Sequence, residues 1–96
     1  MQNLMEISFD YYKVFYEVAR SHSITLAASH LCPTQPTVTK YIKNLEAVLN
    51  CQLFLRSQKG VSLTPEGQRL YHQISHPCQQ MGQAQEVIRE YVTNQD

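Results

Sequence analysis

Apolar positions recur with helical spacing over four stretches of this chain, and with strand spacing between the third and the fourth. Over residues 8 to about 22, Phe9, Tyr12, Tyr16 and Ala19 stand at i, i+3, i+7 and i+10, with Phe15 beside them. That spacing predicts a helix with an aromatic inner face, and the Ser8 hydroxyl is a suitable N-cap. Phe and Tyr are poor helix formers, so packing rather than propensity must hold this segment. A second helix is expected from a cap at Ser23 through Ile24, Ala27, Ala28 and Leu31, its alanines small enough to let another helix approach. Cys32-Pro33 ends it, because the residue before a proline is pushed out of the helical region.

Thr34 caps a third helix, and Pro36 falls in its first turn, where a backbone N–H is not needed. Val38, Ile42, Leu45 and Leu49 form its inner stripe at i, i+4, i+7 and i+11. Asn50, which tolerates a left-handed backbone, stops it. Two short strands follow at 53–56 and 61–63, joined by a turn at Gln58-Lys59-Gly60. Thr64-Pro65-Glu66 opens a fourth helix with a cap, a proline at N1 and an acid in the first turn. From Ile74 the spacing changes: Ile74, Met81 and Ile88 are seven apart, as are Ala84 and Tyr91, offset by three. This alternation predicts a coiled-coil-like seam. Pro77 falls on it and removes a helix hydrogen bond, so a kink or a helix restart is expected near 76–78. The expected fold is mostly α. A winged helix-turn-helix with a three-helix core and a two-stranded wing fills 1–64, and a long C-terminal linker and dimerisation helix fills 65–96.

Ninety-six residues, 43% apolar and 17% charged, suit one folded domain rather than a disordered chain. A core of this size is marginal alone, which favours association with a partner or a second copy. Residues 21–39 lack Asp, Glu, Lys and Arg, but two His, two Pro and eight Ser, Thr or Gln there exclude a membrane span. The start, Met1-Gln2-Asn3-Leu4-Met5-Glu6, lacks the basic residues and apolar run of a signal peptide. Cys32, Cys51 and Cys78 are odd in number and 19 and 27 residues apart. That is neither a zinc spacing nor a disulfide framework, and it points to a reducing cytoplasm.

Charge changes the picture only when divided along the chain, since 8 basic and 8 acidic residues cancel overall. Glu6, Asp10, Glu17 and Lys13 leave residues 1–19 at −2. Arg20, Lys40, Lys43, Arg56 and Lys59 against Glu46 leave 20–64 at +4. Glu66, Glu86, Glu90 and Asp96 against Arg69 and Arg89 leave 65–96 at −2. A basic middle between acidic ends suits an anionic partner. Gln35, Thr37, Thr39, Lys40 and Lys43 lie opposite the apolar stripe of the third helix. Gln bonds adenine bidentately, Thr offers a hydroxyl and a methyl, and Lys reaches guanine or phosphate. Periodicity alone fits equally a solvated polar face on an ordinary core helix.

Other chemistries find little support. His72 and His76 stand at i, i+4 with Cys78 nearby, yet no further ligand is placed to complete a metal site. Cys32, beside Pro33 and two residues after His30, reads as a small apolar filler rather than a reactive thiol. No Ser-His-Asp order, glycine-rich phosphate loop or paired acids appear, so neither an enzyme nor a cofactor or metal is expected.

The run Ala27-Ala28-(x2)-Leu31-(x2)-Thr34-Gln35-Pro36-(x)-Val38-Thr39-Lys40-(x)-Ile42-(x2)-Leu45-Glu46 resembles the N-terminal domain of LysR-type transcriptional regulators. So do Leu53-Phe54-(x)-Arg56 and Leu63-Thr64-Pro65-(x)-Gly67, and the likeness covers about residues 8–92. The resemblance implies a sequence-specific, dimeric DNA-binding domain whose last helix joins two copies. Helix 34–49 then lies in the major groove and wing 53–63 on the minor groove. The residues matching Gln35, Pro36, Thr39 and Lys40 face the major groove in that family, and those matching Ser23, Arg56 and Thr64 lie near phosphates. Combined with the outward face of the helix, this puts Gln35, Pro36, Thr37, Thr39 and Lys40 at bases. Ser23, Thr34, Lys43, Arg56, Lys59 and Thr64 fall at phosphates and the wing. Ile74, Met81, Ala84, Ile88 and Tyr91 are expected to dimerise.

The expected partner is double-stranded DNA with an interrupted palindromic operator, at the nucleoid in a bacterial cytoplasm. An effector ligand is expected only if the intact protein carries the larger C-terminal domain usual in the family. Pro33 and Asn50 replace the family's usual aliphatic residue and glycine. Thr34, Thr37 and Thr39 replace common Ser, Ala and Ser, adding methyl groups. The competing expectation, raised by the zero net charge, is a dimerising interaction module that keeps the fold without useful DNA binding.

Overall fold

A computed structural model of the chain describes residues 8–31 and 34–95. Among them the elements run α1 (Phe9–Ser21), α2 (Ile24–Leu31), α3 (Gln35–Leu49), β1 (Phe54–Ser57), β2 (Gly60–Leu63) and α4 (Pro65–Thr93). The helices start where a hydroxyl can take an otherwise free amide. Ser8 Oγ accepts from the Asp10 N–H at 3.1 Å and Ser23 Oγ from Leu26 at 3.1 Å. Thr34 Oγ1 accepts from Thr37 at 3.4 Å and Thr64 Oγ1 from Gly67 at 2.9 Å. α1 ends at His22 and α3 at Asn50, both left-handed with φ of 57° and 58°. Asn50 thus adopts the conformation expected of it. The expected end of α2 at Cys32-Pro33 and the segment Met1 to Glu6 lie outside the described residues.

The core joins Val14, Phe15, Val18 and Ala19 of α1 to Ala27 and Ala28 of α2, Val38, Ile42 and Leu45 of α3, and Leu53 and Phe54. The rings of Phe15 and Phe54 meet at 5.2 Å between centroids. The α3 stripe is as expected, and the α1 face is so in part: Phe15 and Ala19 are buried and Tyr12 packs against the core. Phe9 is 74% exposed, and the buried face centres on Phe15 and Val18. α1 must meet both α2 and α3, and its residues 15 and 18 point between them. The Tyr12 and Tyr16 side turns toward α4, where Tyr16 stacks on Tyr71 at 5.6 Å.

The hairpin pairs Phe54 with Leu63, Arg56 with Val61 and Ser57 with Gly60. Gly60 closes its turn at φ 122°, a backbone that side-chain-bearing residues rarely adopt. A Cβ there would sit 3.0 Å from the His22 carbonyl, which also accepts from the Val61 N–H at 3.3 Å. The wing therefore docks on the end of α1. At its other side Glu46 Oε2 of α3 accepts from the amides of Leu53 at 2.7 Å and Phe54 at 3.4 Å. Glu46→Ala would leave the Leu53 N–H without its charged acceptor, a loss of about 1.5–3 kcal/mol. Urea unfolding should show it as a lower midpoint at unchanged m.

α4 runs unbroken from Pro65 to Thr93 through Pro77, so the expected restart near 76–78 does not occur. Pro77 cannot donate to the Gln73 carbonyl, but the turns before and after keep their own hydrogen bonds, and one lost bond does not end a helix of 29 residues. The first turns of α4 belong to the core: Gly67 is buried, and Leu70, Tyr71 and Ile74 pack against it. From residue 79 to 95 every position is exposed.

Candidate nucleic-acid interface

Thr34 caps α3 and Pro36 stands in its first turn, and Thr34, Gln35 and Pro36 are all exposed there. Gln35, Pro36, Lys40 and Lys43 are exposed while Val38, Ile42 and Leu45 face inward. Gln35, Pro36, Thr39, Lys40, Lys43 and Asn44 line an open concavity of about 590 Å³ along the helix. Thr37 is half-buried and its hydroxyl lies 3.0 Å from that of Thr34, which ties both to the cap. Asn44 donates to the Tyr11 hydroxyl at 3.3 Å, anchoring the middle of α3 to α1.

The hairpin lies alongside this face. Arg56 on β1 is exposed, and its Nη2 donates to Thr39 Oγ1 of α3 at 3.5 Å. Lys59 is exposed at the tip, where its backbone N–H donates to Ser57 Oγ at 3.2 Å. Ser23 is half-buried at the start of α2. Thr64 departs from expectation. It is 5% exposed, and its hydroxyl donates to the Gln52 carbonyl at 2.7 Å while accepting from Gly67. A hydroxyl engaged on both sides and buried is a latch between the strand entry and α4, not a surface contact.

Ion pairing sorts the cations. Arg20 bonds Glu17 at 2.7 Å and Arg89 bonds Glu86 at 2.7 Å. The hydrogen bond that Arg20 donates to Glu17, and the charge of that carboxylate, raise the Arg20 pKa above its ordinary value. Arg20 therefore leaves the basic set to which its sequence position assigned it. Lys40, Lys43, Arg56 and Lys59 have no acidic partner within 4.0 Å among the described residues. Four unneutralised cations thus flank the polar face of α3, on two elements that Glu46 and the hairpin ladder hold together.

The competing groups are placed elsewhere. Among the described residues no three His, Cys, Asp or Glu side chains gather to hold a metal, and no helix is long and apolar enough to cross a membrane. Burial, then nearby carboxylates, pushes the thiols of Cys51 and Cys78 above their ordinary range, which disfavours the reactive thiolate. Cys32 lies outside the described residues. Sequence reasoning missed Glu46 as a strand clamp and Thr39 as a neighbour of Arg56. Both contacts span elements; the sequence marked Thr39 as an outward residue and Glu46 as part of the Leu45-Glu46 motif, but neither spacing shows the partner.

Residues 9–68 match the family described as bacterial regulatory helix-turn-helix protein, lysR family. An uncharacterized HTH-type transcriptional regulator of Methanocaldococcus jannaschii is 34% identical over 85 residues, covering 88% of this chain and 29% of the relative. The HTH-type transcriptional regulator YofA of Bacillus velezensis is 40% identical over 78 residues, 81% of this chain and 27% of that protein. The crystal structure of the BenM_DBD/catB site 1 DNA complex superposes with a TM-score of 0.74 at 29% identity, covering 91% of this chain and 98% of that one. The chain spans less than a third of the length of the curated relatives it matches.

Proposed function

The chain belongs to the lysR family of bacterial regulatory helix-turn-helix proteins, and from that premise we propose that it binds double-stranded DNA sequence-specifically. α3 enters the major groove, which is wide enough for a helix, and the hairpin lies on the neighbouring minor groove. The observation that carries this reading is the set of free cations, Lys40, Lys43, Arg56 and Lys59, around the polar face of α3. Support also comes from the likeness to a domain whose structure is described as a DNA complex.

In this reading Gln35, Pro36, Thr37, Thr39 and Lys40 meet base edges. Lys43, Arg56 and Lys59, with Ser23 and Thr34, meet phosphates. The exposed side chains Met81, Ala84, Ile88 and Tyr91 of α4 join two copies, with Ile74 at the edge of the contact. The two-fold sets the recognition helices about 34 Å or a multiple apart, so the operator is an interrupted palindrome. The intact regulator acts at the nucleoid in the cytoplasm, and an effector ligand belongs to a further domain.

The test separates contacts that specify from contacts that hold. Gln35→Ala should lose about 1–3 kcal/mol of discrimination at one base pair of a selected site. Arg56→Ala should weaken binding about equally for all sequences, because phosphates carry no base information. With these four cations beside α3 in each copy, a dimer should show a log–log salt slope of about −7 in anisotropy titrations. The zero net charge favours a second reading, a dimerising module without useful DNA binding. A slope of about −2 or shallower would support it.

A further inference from the structure

Resting on the DNA-binding reading, we propose that Thr39 is a positioning residue for Arg56: its hydroxyl holds the guanidinium against α3, where the wing and the recognition helix meet one backbone segment. The two residues are 17 apart in sequence and on different elements, yet Arg56 Nη2 reaches Thr39 Oγ1 at 3.5 Å. Among the described residues Arg56 has no acidic partner, and its side chain makes no other hydrogen bond. Its backbone is fixed by the ladder pairing with Val61, and the entry to its strand is fixed by the bond that the Leu53 N–H donates to the Glu46 carboxylate. What remains free is the long side chain, which carries a large rotamer entropy.

Thr39 suits the task of restricting it. Thr on a helix has essentially two χ1 states, and this one is half-buried, so holding the guanidinium costs its oxygen little freedom. Guanidinium has five donors, and one bond to a hydroxyl leaves the others for a phosphate. Thr39 also lines the concavity along α3 beside Lys40 and Lys43. The anchored guanidinium is thereby aligned with the cations of the helix instead of sweeping away from them. This deepens the reading in which Thr39 meets a base edge and Arg56 a phosphate: the Thr39 hydroxyl also serves Arg56.

A double-mutant cycle on the 96-residue chain tests it, with a mixed-sequence duplex as the probe and anisotropy read at several salt concentrations. Arg56→Ala should weaken binding about tenfold and make the salt slope shallower by about 1 per copy. Thr39→Val keeps the shape and removes the oxygen. It should weaken binding about threefold in the parent and not at all in the Arg56→Ala background. It should also make the slope shallower, as a merely structural change would not. Thr39→Ser should restore parental binding. Equal losses from Thr39→Val in both backgrounds, or failure of Thr39→Ser to restore binding, would overturn the inference and leave DNA binding standing. If the parent chain shows no salt-dependent binding, the DNA-binding reading fails, and this inference with it.

Discussion

Gly67→Ala should lower the melting temperature by roughly 12–24 °C, whereas Gly82→Ala, farther along the same helix, should raise it. Gly67 is buried in the first turn of α4. A Cβ there would stand 2.1 Å from the Leu53 carbonyl oxygen and 2.9 Å from Leu63 Cδ2. Backbone cannot yield as a flexible side chain does, so α4 must retreat from the strand entry. That retreat strains the Thr64 latch, which bonds the Gln52 carbonyl at 2.7 Å and, through its amide, the Leu53 carbonyl at 3.0 Å. Overpacking costs about 1–3 kcal/mol and a lost hydrogen bond about 1 kcal/mol more. A total near 3 kcal/mol, at about 4–8 °C per kcal/mol for a domain of this size, gives the stated range. Gly82 has nothing within 4 Å of its would-be Cβ. Alanine there gains up to about 1 kcal/mol through backbone entropy alone. Circular dichroism melts of the two variants decide the matter by sign. Equal or parallel shifts would mean that α4 does not seat against Leu53 and Leu63 through Gly67.

What the sequence made readable was local. The caps Ser8, Ser23, Thr34 and Thr64 bond the amides two or three residues on. Such bonds close within one turn, so residue type and position suffice to predict them. The Val38, Ile42 and Leu45 stripe was equally plain, because α3 has one apolar face and one polar face. α1 was ambiguous because it has apolar residues on two faces. Phe9, Tyr12 and Tyr16 fit a helical repeat as well as Val14, Phe15 and Val18 do, and only the position of α2 and α3 selects between them. Thr64 shows the same limit at the candidate interface. Its hydroxyl was predicted as a cap, and the resemblance placed it near phosphates. The second bond to Gln52, 12 residues away, depends on how β1 enters the sheet. Arg20 was counted with the free cations although Glu17, three residues earlier, neutralises it. That i, i+3 pair could have been read from spacing alone.

Met81→Asp should convert the proposed α4 dimer to monomers and reduce affinity for a two-half-site duplex by about a hundredfold or more. Past residue 78 α4 leaves the body of the fold, and Met81, Val87, Ile88, Tyr91 and Val92 are exposed there together. Val92, next to Tyr91 and four residues after Ile88, widens the strip beyond the seam seen in the sequence. At its inner end the strip continues into a groove of about 750 Å³ between α1 and α4, where Phe9 and Tyr12 face Ile74 and Met81. An apolar surface of that extent on a small domain calls for a partner of the same character. Met81 lies midway between Ile74 and Ile88 in the helix. In the proposed dimer, a two-fold axis perpendicular to α4 at Met81 would set the Ile88 end of each copy over the Ile74 groove of the other and bring the two Met81 side chains face to face. Aspartate at this point buries two like charges against each other. Desolvation costs at least about 1–3 kcal/mol for each, and mutual repulsion adds to it. About 3 kcal/mol is already more than a hundredfold in the dimerisation constant. Met81→Leu keeps the volume and should stay dimeric. Sedimentation velocity reads both variants directly. A Met81→Asp chain that sediments as its parent does would move the two-fold off α4, and the half-site spacing argued from it would move as well.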